Sequence, residues 1–109
     1  MKQIRLWAVC LTVACGMTTS LLGAAKGDPK KGKDVFEQCS TCHNADSTDK
    51  KFGPGLKGLF KRATLASGKK ASEANIRTQI DEGGNGMPPY KDVLDDQQKE
   101  DLVAYLKTL

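Results

Sequence analysis

The run Cys39-Ser40-Thr41-Cys42-His43 constrains this chain more than any other stretch. Two thiols three positions apart can each add across a vinyl group of one haem, leaving two thioether bonds. A histidine directly after the second thiol then sits beneath the iron as a candidate proximal ligand. Other uses of such a pair fit less well. A structural zinc site needs four ligands, with a second Cys or His pair at similar spacing. The remaining cysteines, Cys10 and Cys15, lie in an apolar N-terminal stretch, and His43 is the only histidine. A thioredoxin-type pair starts a helix after a strand, whereas the run before Cys39 reads as a helix and puts the pair at its C-terminal end. A disulfide or redox pair stays as the alternative to haem attachment.

The N-terminus carries a targeting pattern. Lys2 and Arg5 form a positive start, an uncharged run extends from Leu6 to Ala25, and Gly23-Ala24-Ala25 supplies small residues for cleavage. Residues 1–25 are expected to be a cleavable signal peptide and residues 26–109 the folded domain. The run is also long enough to remain as an uncleaved membrane anchor, and Cys15 is a candidate for lipidation. Haem attachment of this kind is completed outside the cytoplasm, so the two signals support each other. The expected location is the periplasm, with a membrane-anchored form facing the periplasm as the alternative.

A domain this short has little core of its own, and small domains usually need a staple. The only tryptophan, Trp7, belongs to the leader. Val35, Phe36, Leu56, Leu59, Phe60, Ile76, Ile80, Val93, Leu94 and a C-terminal helix make the expected core. A covalently held haem would supply its missing centre.

The spacing predicts helices and no sheet. Asp28-Pro29 is an N-cap followed by proline at the first helical position, opening a helix to about Gln38. Phe52-Gly53-Pro54-Gly55-Leu56 reads as an ordered loop, followed by a short amphipathic turn from Leu56 to Lys61. Ser72 caps a helix through about Glu82, stopped by Gly83-Gly84. The last helix begins at Asp95, with Gln98 completing a capping box. Leu102, Tyr105, Leu106 and Leu109 form one apolar stripe along it. Nothing alternates with period two for long enough to make a strand, so the class is all-α.

A six-coordinate haem iron needs a second axial ligand. Once the leader is removed, Met87 is the only methionine, and it sits in Asn85-Gly86-Met87-Pro88-Pro89-Tyr90. Pro88 biases Met87 toward an extended conformation, and the two prolines stiffen the loop that presents the thioether. The alternatives are that Met87 merely plugs the haem edge, or that a lysine supplies the donor.

Charge is split along the domain. Residues 26–70 carry eleven Lys or Arg against five acids, while residues 71–109 carry four against eight. The separation gives a dipole that can orient the molecule toward an acidic partner.

Taken together, Lys31-Gly32-Lys33-Asp34-Val35-Phe36, the Cys39–His43 motif, Gly53-Pro54-Gly55-Leu56-Lys57-Gly58-Leu59-Phe60, Met87 and Glu100-Asp101-Leu102-Val103-Ala104-Tyr105-Leu106-Lys107 resemble the small bacterial class I cytochromes c. The resemblance covers essentially the whole of residues 26–109. It implies three to five helices wrapped around one covalently attached haem c, with the N- and C-terminal helices crossing. Gly32 would permit their close approach, with Phe36 packed on Leu102 and Tyr105. The Pro54 carbonyl would accept the Nδ1 proton of His43, and Arg62 is a candidate partner for a haem propionate. Two features depart from the mitochondrial form: one residue fewer separates Phe36 from Cys39, and the propionate-binding tryptophan is absent from the domain.

The function implied is not enzymatic. It is one-electron transfer by a haem iron ligated by His43 and Met87, cycling between Fe(III) and Fe(II). Lys50, Lys51, Lys57 and Lys61 lie between the two ligand loops and are candidates to dock a redox partner with an acidic surface. A monomer without nucleic-acid partners is expected. The rival readings are a ligand-binding haem protein (a gas sensor or peroxidase-like enzyme) with a labile sixth position, and an electron-transfer subunit of a membrane complex.

Overall fold

A computed structural model describes residues 26–109; the signal peptide expected at residues 1–25, with its alternative fates as anchor or lipidation site, lies outside the described residues. The described chain folds into three α-helices: α1 (Pro29–Phe36), α2 (Glu73–Glu82) and α3 (Asp96–Leu106), with a 3-10 turn at Leu59–Lys61. Among the described residues there is no strand, only isolated bridges between Thr64 and Lys70 and between Gly84 and Met87. The all-α expectation is met. No helix of the described residues is long and apolar enough to cross a membrane.

Local chemistry starts each helix where the sequence places its caps. The Asp28 carboxylate accepts from the Lys30 N–H at 2.9 Å, and Pro29 opens α1. The Ser72 hydroxyl accepts from the Asn75 N–H at 3.2 Å at the head of α2. Asp95 and Gln98 satisfy one another's backbone N–H groups at the head of α3. Such caps pair N–H groups that have no partner within the helix. α1 stops at Phe36, two residues short of Gln38, because the chain tightens into consecutive turns. Cys39 and Ser40 both donate to the Phe36 carbonyl, and Cys42 and His43 both donate to the Cys39 carbonyl. The thiols and the imidazole therefore hang from the C-terminal end of α1 on one coiled segment.

α3 packs along α1 and touches α2. The α1–α3 approach is permitted by Gly32, where an added Cβ would collide with the Asp101 carbonyl and stand 2.7 Å from the Tyr105 Cβ. The Phe36 and Tyr105 rings meet beside it, centroids 5.4 Å apart and tilted by 52°. Buried Asp101, 4% exposed, ties the helices further by accepting from the Asp28 N–H at 2.8 Å and from Gln97 Nε2 at 3.1 Å. Forcing a methyl group into this crossing should lower the stability of Gly32→Ala by about 1–3 kcal/mol. A lower urea midpoint of the haem-loaded protein, with an unchanged slope, is the expected result.

The core comprises Phe36, Leu56, Leu59, Ile76, Ile80, Leu94, Leu102, Val103 and Leu106. Two details depart from the sequence reading. Val93, expected inside, is 61% exposed. It shares a turn with Leu94 in which both N–H groups donate to the Tyr90 carbonyl; neighbours in a turn face different ways, and Leu94 takes the inward place. Val103, outside the apolar stripe of α3, is 1% exposed, because α3 has neighbours on more than one side.

Several charges of the acidic C-terminal half are paired. Arg77 of α2 pairs with Glu100 and, at 3.5 Å, with Asp96 on α3, and Lys107 meets Glu73 at 2.6 Å. The lysines at positions 50, 51, 57 and 61 are exposed.

Candidate functional site

Cys39, Cys42, His43, Pro54, Arg62 and Met87 all line one cavity of about 440 Å³. Its apolar wall is the core itself: Phe36, Leu56, Leu59, Ile76, Ile80, Leu102 and Leu106.

The imidazole is fixed from both ring nitrogen and ring face. His43 Nδ1 lies 2.8 Å from the Pro54 carbonyl oxygen. A carbonyl only accepts, so Nδ1 donates its proton and the neutral ring keeps its lone pair on Nε2. The loop carrying Pro54 is held to the histidine's own segment: the Gly53 N–H donates to the Cys42 carbonyl at 2.7 Å and the Leu56 N–H to the Asn44 carbonyl at 2.8 Å. Gly53 lies flat on the ring, since a Cβ there would stand 2.6 Å from His43 Cε1. The sequence marks Gly53 as loop punctuation; its contact with the imidazole depends on tertiary placement and has no local signal.

Arg62 is half-buried at the cavity wall. Its Nη2 donates to the Gly55 carbonyl at 2.7 Å and to the Lys57 carbonyl at 2.8 Å. It thus braces the loop that follows Pro54, a task the sequence reading did not include.

The thiols of Cys39 and Cys42 are free and half-buried. Burial, and then the neighbouring Cys42, push the Cys39 thiol up to about 11. An activated redox cysteine shows the opposite shift and sits at a helix N-terminus. Both thiols instead follow the C-terminal end of α1.

Met87 is delivered by a two-residue turn. Gly84 and Met87 exchange both backbone hydrogen bonds, at 2.9 and 3.0 Å, around Asn85 and Gly86 with φ of 52° and 91°. Positive φ at both central residues is the type I′ pattern that Asn-Gly favours. Pro88 and Pro89 follow, and the Tyr90 N–H returns to the Ile80 carbonyl at 3.0 Å. The Asn85-Gly86 turn was readable from the dipeptide, yet the sequence reading assigned the loop's stiffness to the prolines alone. Gln79 Nε2 reaches Met87 Sδ at 3.7 Å and the Gly83 carbonyl at 3.0 Å, so α2 also orients the thioether.

An all-α chain that opens a Cys-x-x-Cys-His turn onto an apolar cavity, with free thiols and a methionine on the cavity wall, has the build of a small protein formed around covalently attached haem. Comparison with known proteins makes this specific. Residues 29–109 match the family model for cytochrome c. The chain is 33% identical over 108 residues to cytochrome c2 of Blastochloris viridis, covering 84% of this chain and 85% of that protein. It is 31% identical over 103 residues to cytochrome c6 of Synechocystis sp., covering 89% and 78%. Among solved structures, cytochrome c6 from the diatom Phaeodactylum tricornutum superposes with a TM-score of 0.59 at 25% identity, over 75% of this chain and 93% of that one. Cytochrome cH from Methylobacterium extorquens gives 0.55 at 26% identity, over 76% and 100%.

The chain therefore belongs to the cytochrome c family, as a small class I member. Membership brings one covalently bound haem c with its iron, and haem-based electron transfer as the activity. The residues present fit that group: thiols for attachment, nitrogen and sulfur donors for iron, and an apolar wall for the ring.

Proposed function

We propose that this protein is an exported one-electron carrier in which Cys39 and Cys42 hold the haem by thioether bonds and His43 and Met87 are its axial ligands. The observation that carries the reading is the His43–Pro54 hydrogen bond, which leaves Nε2 free as a donor on the wall of the cavity that Met87 also lines. When bound, haem supplies an iron couple that accepts and releases one electron, and a methionine ligand favours Fe(II). The chain contributes the rest. His43 is set by its bond to the Pro54 carbonyl, and Met87 by its turn and by Gln79 Nε2, so neither side chain needs to move when charge changes. The apolar wall excludes water, and Arg62, on the cavity wall, is the proposed partner for a propionate. Among the described residues, the cavity lining includes no carboxylate and no second histidine, the groups a peroxidase-like site would use for acid–base work.

Spectra of the haem-loaded protein test this reading. The reduced form should be low-spin and unchanged by carbon monoxide, and the oxidised form should carry a sulfur-to-iron charge-transfer band that Met87→Ala removes. Ready carbon monoxide binding by the unmutated protein would instead make it a ligand-binding haem protein. The leader pattern of residues 1–25 supports export; blotting soluble and membrane fractions for the mature size separates a periplasmic carrier from an anchored subunit.

The partner surface follows from charge. Lys50, Lys51, Lys57 and Lys61 are exposed; Lys50 lines the cavity, and Lys51 Nζ donates to the Ser40 carbonyl at 3.0 Å. They suit brief docking to an acidic redox protein, with rapid release. The double variant Lys50→Gln/Lys57→Gln should be reduced about 3–10 times more slowly by such a partner at low salt, with the difference fading near 1 M salt. An unchanged rate at unchanged potential would remove the docking role.

A further inference from the structure

The loop bearing Met87 has almost no core of its own. Gly84, Asn85, Gly86, Pro88 and Pro89 are all exposed, so what fixes the loop is its base. There the Tyr90 N–H donates to the Ile80 carbonyl and the Lys91 N–H to the Asp81 carbonyl at 3.2 Å, closing the loop on the C-terminal end of α2. One side chain from α3 joins both sides of that base. Lys99 is 5% exposed, and its ammonium stands 2.8 Å from Asp81 Oδ1, an oxygen itself shut off from solvent, and 3.0 Å from the Lys91 carbonyl. Burying an ammonium is costly, and an apolar side chain of similar volume would serve packing at least as well. What the ammonium adds is direction, since it is satisfied only where the end of α2 and the end of the loop stand at one separation.

We propose that the Lys99–Asp81 pair is the latch that fixes the Met87 loop to α3, which makes Lys99 a positioning residue for the sixth ligand; this rests on the reading of Met87 as that ligand. Lys99 is not among the residues that line the cavity. It acts through Lys91 and Asp81, the two residues that clip the loop shut. The latch links the sixth position to the helix that packs on α1 at Gly32, so the loop is held through the α1–α3 pair.

The test compares haem-loaded Lys99→Met and Asp81→Asn with the unmutated protein. Three signals are followed: the sulfur-to-iron band on heating, the far-UV circular dichroism of the helices, and the rate at which the reduced protein takes up carbon monoxide. In the unmutated protein the band and the helices should be lost together. In Lys99→Met, which keeps chain length and burial, the band should fade well before the helices melt. Carbon monoxide uptake should then rise roughly tenfold as the open-loop population grows. Asp81→Asn leaves the ammonium unpaired and should show the larger effect, and the double variant should return to the Lys99→Met level. Band and helices melting together in every variant, with uptake unchanged, would reduce the pair to packing and overturn the latch. An unmutated protein without the band overturns the Met87 assignment and the latch with it; a band indifferent to both substitutions overturns the latch alone. Should Asp81→Asn fail to fold, Lys99→Met decides the matter by itself.

Discussion

Produced without haem, a Cys39→Ala/Cys42→Ala variant should show little helical circular dichroism and no cooperative thermal transition. The reason lies in what the core faces. Phe36, Leu56, Leu59, Ile76, Ile80, Leu102 and Leu106 are core residues that also line the cavity of about 440 Å³. Enclosed and dry, a cavity of that size would cost at most on the order of 10 kcal/mol at roughly 24 cal/mol per Å³. That matches the entire stability of a typical domain, about 5–15 kcal/mol. The α1–α3 crossing at Gly32 and the ion pairs between α2 and α3 are too few to replace it: exposed pairs contribute about 0–1 kcal/mol each, and the buried Lys99–Asp81 pair must first offset its own desolvation. Native-like helix content with a sharp melt in the haem-free variant would show that the helices carry their own core.

What was legible in the sequence was whatever is decided within a few residues. The caps at Asp28, Ser72 and Asp95 pair a side chain with an N–H two or three positions on, so they can be read without knowing the fold. The Cys39–His43 spacing is likewise fixed by covalent chemistry. The family-based expectations on α1 and α3 extended this to their packing, at Gly32 and between Phe36 and Tyr105. Illegible were the roles set by distant partners. Lys99 and Asp101 look like surface charges on an acidic helix, yet they are 5% and 4% exposed because the ends of α2 and α1 supply their partners. Arg62 read as a candidate for propionate, and its two carbonyl acceptors could not be guessed because the loop's path brings them back to it. Val93 and Leu94 differ in no local property that decides which faces inward. The turn geometry at Tyr90 decides it.

Replacing Met87 by alanine should lower the reduction potential of the haem-loaded protein by about 100 mV or more while leaving its helices in place. Axial ligands set haem potentials over a range of about 0.8 V, and a thioether raises the potential by stabilising Fe(II) over Fe(III). A fall of about 100 mV is nearly two powers of ten in that one-electron equilibrium, at about 59 mV for each tenfold step. The fold should tolerate the change, because the loop's shape resides in the Asn85-Gly86 turn and in its hydrogen bonds to Ile80 and Asp81, none of which uses the methionine side chain. Gln79 Nε2 would lose its sulfur neighbour and keep the Gly83 carbonyl, so no buried donor is orphaned. Potentiometry, circular dichroism and carbon monoxide titration of the same sample separate the possibilities. A lower potential with retained helices and new carbon monoxide binding is the expected set. A potential within about 20 mV of the unmutated protein, a smaller change than any loss of an axial ligand should give, together with indifference to carbon monoxide, would make Met87 an apolar plug. The sixth donor would then be sought among the lysines, with Lys50 first because it already lines the cavity.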